Sequence, residues 1–171
     1  MKKIIKAKWG KEKDYSEKEF ELYWQYKNEL WKIEGMHPYS KESVDSWYKE
    51  YLNDAGCCIR IFNENKEQIG FVFVGTYPNC HEEAGFYIQD CFILPEHRKR
   101  SVMSAVVSEF IADNPGDYCL YLIDQNVPAQ NFWRKMFESL GYEEFKIKDY
   151  TDMETDSCHL HGFTKKSEQK K

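Results

Sequence analysis

An α/β domain on a mixed sheet is the fold class this sequence predicts, and three observations predict it. Seven short strand-like runs, alternating or continuously apolar, recur from 3-KIIKAKW-9 to 158-CHLHGFT-164. Between them lie longer stretches whose apolar residues return at steps of three and four, the period of a helix with one buried face. The order of the two kinds is strand, two helices, three strands, helix, strand, helix, two strands, which builds a layered α/β domain rather than an all-helical or all-strand one.

Each element has its own warrant. Residues 3–9 alternate like a first strand. The run 16-SEKEF-20 opens a helix with a capping-box signature, Ser16 to Glu19. Phe20, Tyr23, Trp24, Leu30 and Trp31 then fall on one side, with Tyr26 and Ile33 widening the face and Lys27 interrupting the stripe midway. The break 34-EGMHPYS-40 ends it. A second helix, roughly 41–53, carries Val44, Trp47, Tyr48 and Tyr51 along one side. Residues 57-CCIRIFN-63 and 68-QIGFVFVGTY-77 flank the turn 63-NENK-66 and read as an antiparallel hairpin. Next come the strand 85-GFYIQDCFIL-94, a helix from about Ser101 to Ala112, the loop 113-DNPGD-117 and the buried-type strand 118-YCLYLI-123. The amphipathic run 129-AQNFWRKMFESL-140 stops at Gly141, a C-cap residue. The strands 142-YEEFKIKDY-150 and 158-CHLHGFT-164, joined by the polar segment 151–157, close the chain.

Composition bounds the function. One domain over residues 1–165 with a flexible tail at 166–171 suits a chain of 171 residues, and 42% hydrophobic content with 12 Tyr, 11 Phe and 5 Trp supplies its core. A net charge of −5 argues against a general nucleic-acid binder, which needs a basic face. No stretch approaches the ~20 apolar residues of a membrane span, and the start lacks an apolar signal region, so a cytoplasmic protein is expected. The six cysteines show neither a CxxC pair nor a disulfide framework. Cys158-His159-Leu160-His161 invites a zinc reading, but in a strand Cys158 points away from the two histidines and no second ligand pair has suitable spacing. No metal is expected.

The stretch 92-FILPEHRKRSVMSAVVSEFI-111 raises the functional question. A strand meets Pro95, then the cluster His97-Arg98-Lys99-Arg100, and Ser101 leads into a helix. Strand, cationic turn and helix N-terminus form an anion-binding arrangement, since orphan backbone N–H groups and the helix dipole favour negative charge. Two segments, 88-IQDCFILPEHRKRSVMSAVVSEF-110 and 126-NVPAQNFWRKMFESLGY-142, resemble the GNAT superfamily of acyl-CoA-dependent N-acyltransferases. Family members show a strand ending V-x-P-x-x-R followed by Q/R-x-x-G-x-G/A. Here Pro95 and Arg98 fit that pattern, and Ser101 and Met103 stand at the two glycine positions. In the second segment, N-x-x-A-x-x-F/L-Y with a later G-F/Y is matched by Asn126, Ala129, Phe132, Gly141 and Tyr142, with Trp133 in place of the tyrosine.

The resemblance implies a GNAT-like fold, a mixed and mostly antiparallel central sheet flanked by helices on both faces. It implies acetyl-CoA as co-substrate and a small, cationic amine as acceptor, with a monomer or homodimer as the working unit. Phe92 and Ile93 would offer a backbone N–H to the thioester carbonyl. Arg98, Lys99, Arg100, Ser101, Val102 and Met103 would hold the diphosphate, Ser101 with little bulk and Met103 with a long side chain where glycine is usual. Asp90, or Glu83 acting through water, is the candidate base, while an Asp capped by a neighbouring N–H or facing solvent is the structural alternative. Tyr121 is the candidate acid, because an indole at Trp133 does not ionise usefully. Asn126 would either contact coenzyme A or cap the following helix. Trp24, Trp31, Glu34 and His37 would line the acceptor site, although helix packing explains those rings equally well. The substitutions at Ser101, Met103 and Trp133 leave a second class open, a catalytically impaired module that binds acyl-CoA, a metabolite or a protein.

Overall fold

A computed structural model of the chain describes residues 15–54, 57–76, 85–98, 101–146 and 158–166. Its elements are α1 (Glu17–Glu34), α2 (Lys41–Asp54), β1 (Cys57–Phe62), β2 (Gln68–Thr76), β3 (Phe86–Ile93), a 3-10 turn at Pro95–His97, α3 (Val102–Asp113), β4 (Tyr118–Ile123), α4 (Val127–Ser139), β5 (Tyr142–Lys146) and β6 (Cys158–Lys165). Hydrogen bonding joins the six strands in the order β1-β2-β3-β4-β6-β5. The β1–β2, β4–β6 and β5–β6 pairs are antiparallel and β3–β4 is parallel, so the sheet is mixed and mostly antiparallel. The expected strand at 3–9, the connection at 151–157 and the tail beyond 166 lie outside the described residues. Packing divides the chain into two compact units, residues 1–75 with 88–106 and residues 76–87 with 107–171.

In the first unit, Ser16 caps α1 by accepting the Glu19 N–H on its Oγ at 3.2 Å. The Glu19 backbone supplies this half of the expected capping box, and its carboxylate does not return to Ser16. Glu19 turns inward instead, is 0% exposed, and accepts from Tyr48 Oη (2.7 Å), Arg60 Nε (2.8 Å) and Gln68 Nε2 (2.8 Å). One carboxylate thus ties α1 to α2, β1 and β2. Gly35 ends α1 at φ +69°, a left-handed conformation that glycine adopts without strain. The aromatic stripe of α1 does what its period demands: Phe20, Leu22, Tyr23 and Trp31 are buried with Val44, Tyr48 and Leu52 of α2 and with Phe71, Phe73 and Phe92 of the strands. Burying each such side chain contributes about 1.5–3 kcal/mol. At Gly70 a Cβ would lie 2.3 Å from the Phe92 carbonyl oxygen, so β2 approaches β3 as closely as it does only because no side chain intervenes.

In the second unit, β4 lies between its antiparallel partner β6 and the start of β3, where Phe86 and Tyr87 face Tyr118 and Cys119. Asn126 caps α4, accepting the Ala129 N–H at 3.3 Å. The helix begins at Val127, two residues earlier than the apolar period indicates, because Pro128 stands in its first turn, where a missing N–H costs nothing. Tyr118, Phe137 and Phe163 are the fully buried rings, and Phe137 stacks on Phe163 at 4.1 Å. The two histidines of β6 pair with carboxylates, His159 with Asp124 at 3.5 Å and His161 with Glu144 at 2.5 Å. Among the described residues no three His, Cys, Asp or Glu side chains converge on a metal position. No helix among them is long and apolar enough to cross a membrane.

Candidate active site

The candidate site is built on β3 and the segment that follows it. Strand alternation turns Ile88, Asp90 and Phe92 toward the buried side of the first unit. Asp90 is only 5% exposed, and an unpaired carboxylate so buried would be costly. It is paired. Tyr26 Oη donates to Asp90 Oδ1 at 2.5 Å, and Lys27 Nζ donates to both carboxylate oxygens at 3.3 and 3.2 Å. The same ammonium lies over three tyrosine rings, at 5.0 Å from Tyr23, 5.1 Å from Tyr26 and 5.8 Å from Tyr51. The sequence reading allowed Asp90 to be capped by a neighbouring N–H or to face solvent. Its partners are instead two side chains of α1.

Electrostatics follow the burial. The phenols of Tyr23 and Tyr26 are pushed well up, first by burial and then by the Asp90 charge. That of Tyr51 is raised first by Asp90 and then by burial. All three remain neutral at physiological pH, and their ring faces meet the ammonium by cation–π contact. Glu34, half-buried at the end of α1, has its carboxyl raised by burial and partly restrained by the Lys27 charge. Trp24 meets Trp31 edge-on at 6.0 Å, Trp31 meets Tyr39 at 5.0 Å, and Tyr39 meets Trp47 at 4.8 Å. Trp31 is buried in the packing cluster, whereas His37 is exposed.

Beyond β3 the chain makes the 3-10 turn and reaches Arg98. Its Nε donates to the Ile93 carbonyl at 2.8 Å, its Nη2 to Glu29 at 2.6 Å, and its guanidinium covers the Phe92 ring at 5.3 Å. Arg98 therefore fastens the strand end to α1. Lys99 and Arg100 lie outside the described residues, as does Glu83. Ser101 sits at φ +56°, a left-handed conformation costing a non-glycine residue about 1–2 kcal/mol. The first α3 hydrogen bond runs from the Ala105 N–H back to the Ser101 carbonyl at 3.0 Å. The N–H groups of Val102, Met103 and Ser104 consequently occupy the first turn, where no helical carbonyl receives them. Ser101 thus keeps a glycine-type backbone without a glycine, and the first-turn N–H groups that follow it are donors of the kind an anion accepts from. Val102 is buried and Met103 half-buried, while Phe92 and Ile93 are buried in β3.

The remaining candidates belong to the second unit. Tyr121 on β4 is half-buried and meets Tyr87 edge-on at 5.9 Å. Asn126 acts as the helix cap described above. Trp133 is 3% exposed and packs on Phe132 and Phe137. The cage around Lys27 was not foreseen. Its one visible signal is the lysine that interrupts the aromatic stripe of α1, a position where an apolar side chain would pack and a charge needs a reason.

The acetyltransferase (GNAT) family model matches residues 17–138. No curated protein sequence matches. Among solved structures, a GNAT-family acetyltransferase from Staphylococcus aureus Mu50 is similar at 16% identity and TM-score 0.62, covering 95% of this chain and 98% of that one. The diaminobutyrate acetyltransferase EctA of Paenibacillus lautus, solved with L-2,4-diaminobutyric acid and coenzyme A, is similar at 9% identity and TM-score 0.60, over 96% of each chain. The spermidine N-acetyltransferase of Vibrio cholerae, solved with coenzyme A and spermine, is similar at 14% identity and TM-score 0.57, over 87% of this chain and 90% of that one. With its family pattern spanning most of its length and its strand, turn and helix in the family's order, the chain belongs to the acetyltransferase (GNAT) family, whose acetyl donor is acetyl-CoA.

Proposed function

We propose that this acetyltransferase moves the acetyl group of acetyl-CoA to a primary amine of a small cationic acceptor, by direct attack of the amine on the thioester. One observation carries the proposal: a buried carboxylate on β3, Asp90, already holds a primary ammonium among aromatic rings. Acetyl-CoA supplies an activated acyl carbon, and the chain supplies placement and proton transfer. The N–H groups of residues 101–104 hold the diphosphate, with Lys99 and Arg100 adding charge and Arg98 keeping the turn at the end of β3. A backbone N–H near Phe92 or Ile93 polarises the thioester carbonyl as an oxyanion donor does. Asn126 and Trp133 support the coenzyme A side through the start and the packed face of α4.

Asp90 binds the acceptor's ammonium and takes one proton from it, with Glu83 the alternative acting through water. The C–N bond forms and the C–S bond breaks, and the second proton leaves the attacking nitrogen through solvent and restores the Tyr121 phenol after it has protonated the thiolate. Tyr121 returns a proton to the thiolate, and the transfer as written calls for no metal. Trp24, Trp31, Glu34 and His37 shape the acceptor end, where rings and a raised carboxyl suit an organic cation. The amine-bearing ligands of the similar acetyltransferases support this acceptor class. The working protein is a monomer or homodimer in the cytoplasm.

The test is free-thiol release from acetyl-CoA with a panel of primary amines, with the product identified by mass. Thiol release together with an acetylated amine supports the reading. Acetyl-CoA binding without thiol release under any amine replaces it with the second reading, a GNAT-fold binding module, which the residues at 101, 103 and 133 would favour.

A further inference from the structure

We infer that the Asp90 cage is a site for a linear primary alkylammonium, and that the free chain fills it with its own Lys27, which an incoming amine must displace. The inference deepens the transfer reaction proposed above and rests on it for its kinetic arm, whereas its binding arm stands alone.

Four features lead there. The Lys27 side chain is 16% exposed, and its ammonium donates to two carboxylate oxygens and lies over three ring faces at once. That set of partners recognises an ammonium, and it is more than a helix needs to hold one lysine. A buried ion pair is also weak evidence of a purely stabilising role, since apolar replacements commonly do as well. Third, the cage wall is shared: Tyr51 also lines an open cavity of about 200 Å³ with Trp47, Glu50 and Gln89. Fourth, the side-chain carbonyl oxygen of Gln89 is buried with no hydrogen-bond partner among the described residues. An N–H donor would satisfy it once the side chain turns toward the cavity that Gln89 lines. Tyr51 is common to the cavity and the cage, so an amine held in the cavity lies across that ring from the tethered ammonium.

Displacement sets an affinity penalty. A ligand that binds only when Lys27 is out has its apparent dissociation constant raised by the reciprocal of the fraction of open cage. Cutting Lys27 back to alanine, which removes three methylenes and the ammonium, should remove that penalty and leave a slot that a linear alkylammonium can enter.

The experiment uses the full chain carrying Lys27→Ala, with n-butylammonium chloride as probe and n-butanol and sodium chloride as controls, no acetyl-CoA being present. The expected result is a rise in melting temperature with n-butylammonium that neither control produces, and a far smaller rise in the wild type. If Lys27→Ala does not fold unaided, refolding is attempted in the same three additives, and recovery with n-butylammonium alone supports the inference. No selective effect of n-butylammonium, or an equal effect of n-butanol, overturns it. In the kinetic arm, Lys27→Ala should lower the acceptor KM by about tenfold or more. An unchanged or raised KM beside a normal wild-type reaction overturns the displacement, whereas a wild type that releases no thiol at all defeats the transfer reaction and leaves the binding result intact.

Discussion

Replacing Glu19 by alanine should destabilise the chain more than any cap or surface substitution, and the size of the loss follows from its surroundings. The carboxylate is fully buried and accepts from Tyr48, Arg60 and Gln68. Tyr48 is 0% exposed and Gln68 7%, so neither donor can turn to water, and each orphaned group costs about 1–3 kcal/mol. Arg60 keeps 27% of its side chain exposed and recovers part of its hydration, which limits its share. The total, about 3–5 kcal/mol, matches the cost of removing one partner of a buried ion pair. For a chain of this size each kcal/mol lowers the melting temperature by about 2–4 °C, so a fall of roughly 10 °C is expected. Thermal and urea unfolding at pH 7 measure it. Ser16→Ala, which removes only the cap, should cost about 1 kcal/mol. A double-mutant cycle of Glu19→Gln with Arg60→Met should show a coupling above about 1 kcal/mol. A Glu19→Ala loss no larger than the Ser16→Ala loss would refute the view that this carboxylate ties two helices to the hairpin.

Three further outcomes are expected. Ser101→Pro cannot adopt φ +56° and should weaken coenzyme A binding by about tenfold or more with helical content retained, while Ser101→Gly should bind at least as well as the wild type; isothermal titration of both decides it. Asp90→Asn should lower kcat by about 10²-fold or more while leaving acetyl-CoA affinity nearly unchanged, and equal turnover would remove Asp90 from the proton transfer. Burial raises the Cys57 thiol from 9.0 to about 11, so its contribution is fully present below pH 9 and is lost as pH climbs toward 11. At 1.36 kcal/mol for each pH unit the loss approaches about 3 kcal/mol. Urea midpoints at pH 8 and pH 11 should therefore converge less for the wild type than for Cys57→Ala, which lacks that titration.

The sequence is most informative where one element settles its own structure. The stripe of α1, the cap at Ser16 and the turn between β1 and β2 all read correctly because each depends on neighbours within a few residues. Where the sense of a residue depends on another element, the reading was incomplete. The spacing of Ser16 and Glu19 matches a capping box, yet a buried tyrosine and glutamine and a half-buried arginine offer the carboxylate better partners than a backbone N–H at the surface. The apolar period starts the helix at residue 129, because Pro128 shows as a first-turn residue only once the Asn126 cap is seen. Arg98 carries the family's motif position, but Glu29 on α1 was invisible as its partner, 69 residues away. At the site, Asp90 stood out as an acid in an apolar strand. Its cage did not, because Tyr23, Tyr26 and Lys27 come from one helix and Tyr51 from another, and only their packing brings the rings around one ammonium.

The central claim is that main-chain donors at 101–104 hold a diphosphate without glycine. Calorimetric titration of 4'-phosphopantetheine against pantetheine, which differ only in the first phosphate of the diphosphate, tests it most directly. Two such hydrogen bonds to a charged group at about 1.5 kcal/mol each amount to about 3 kcal/mol, so 4'-phosphopantetheine should bind about 100-fold more tightly. Equal affinity for the two compounds would show that this turn grips nothing.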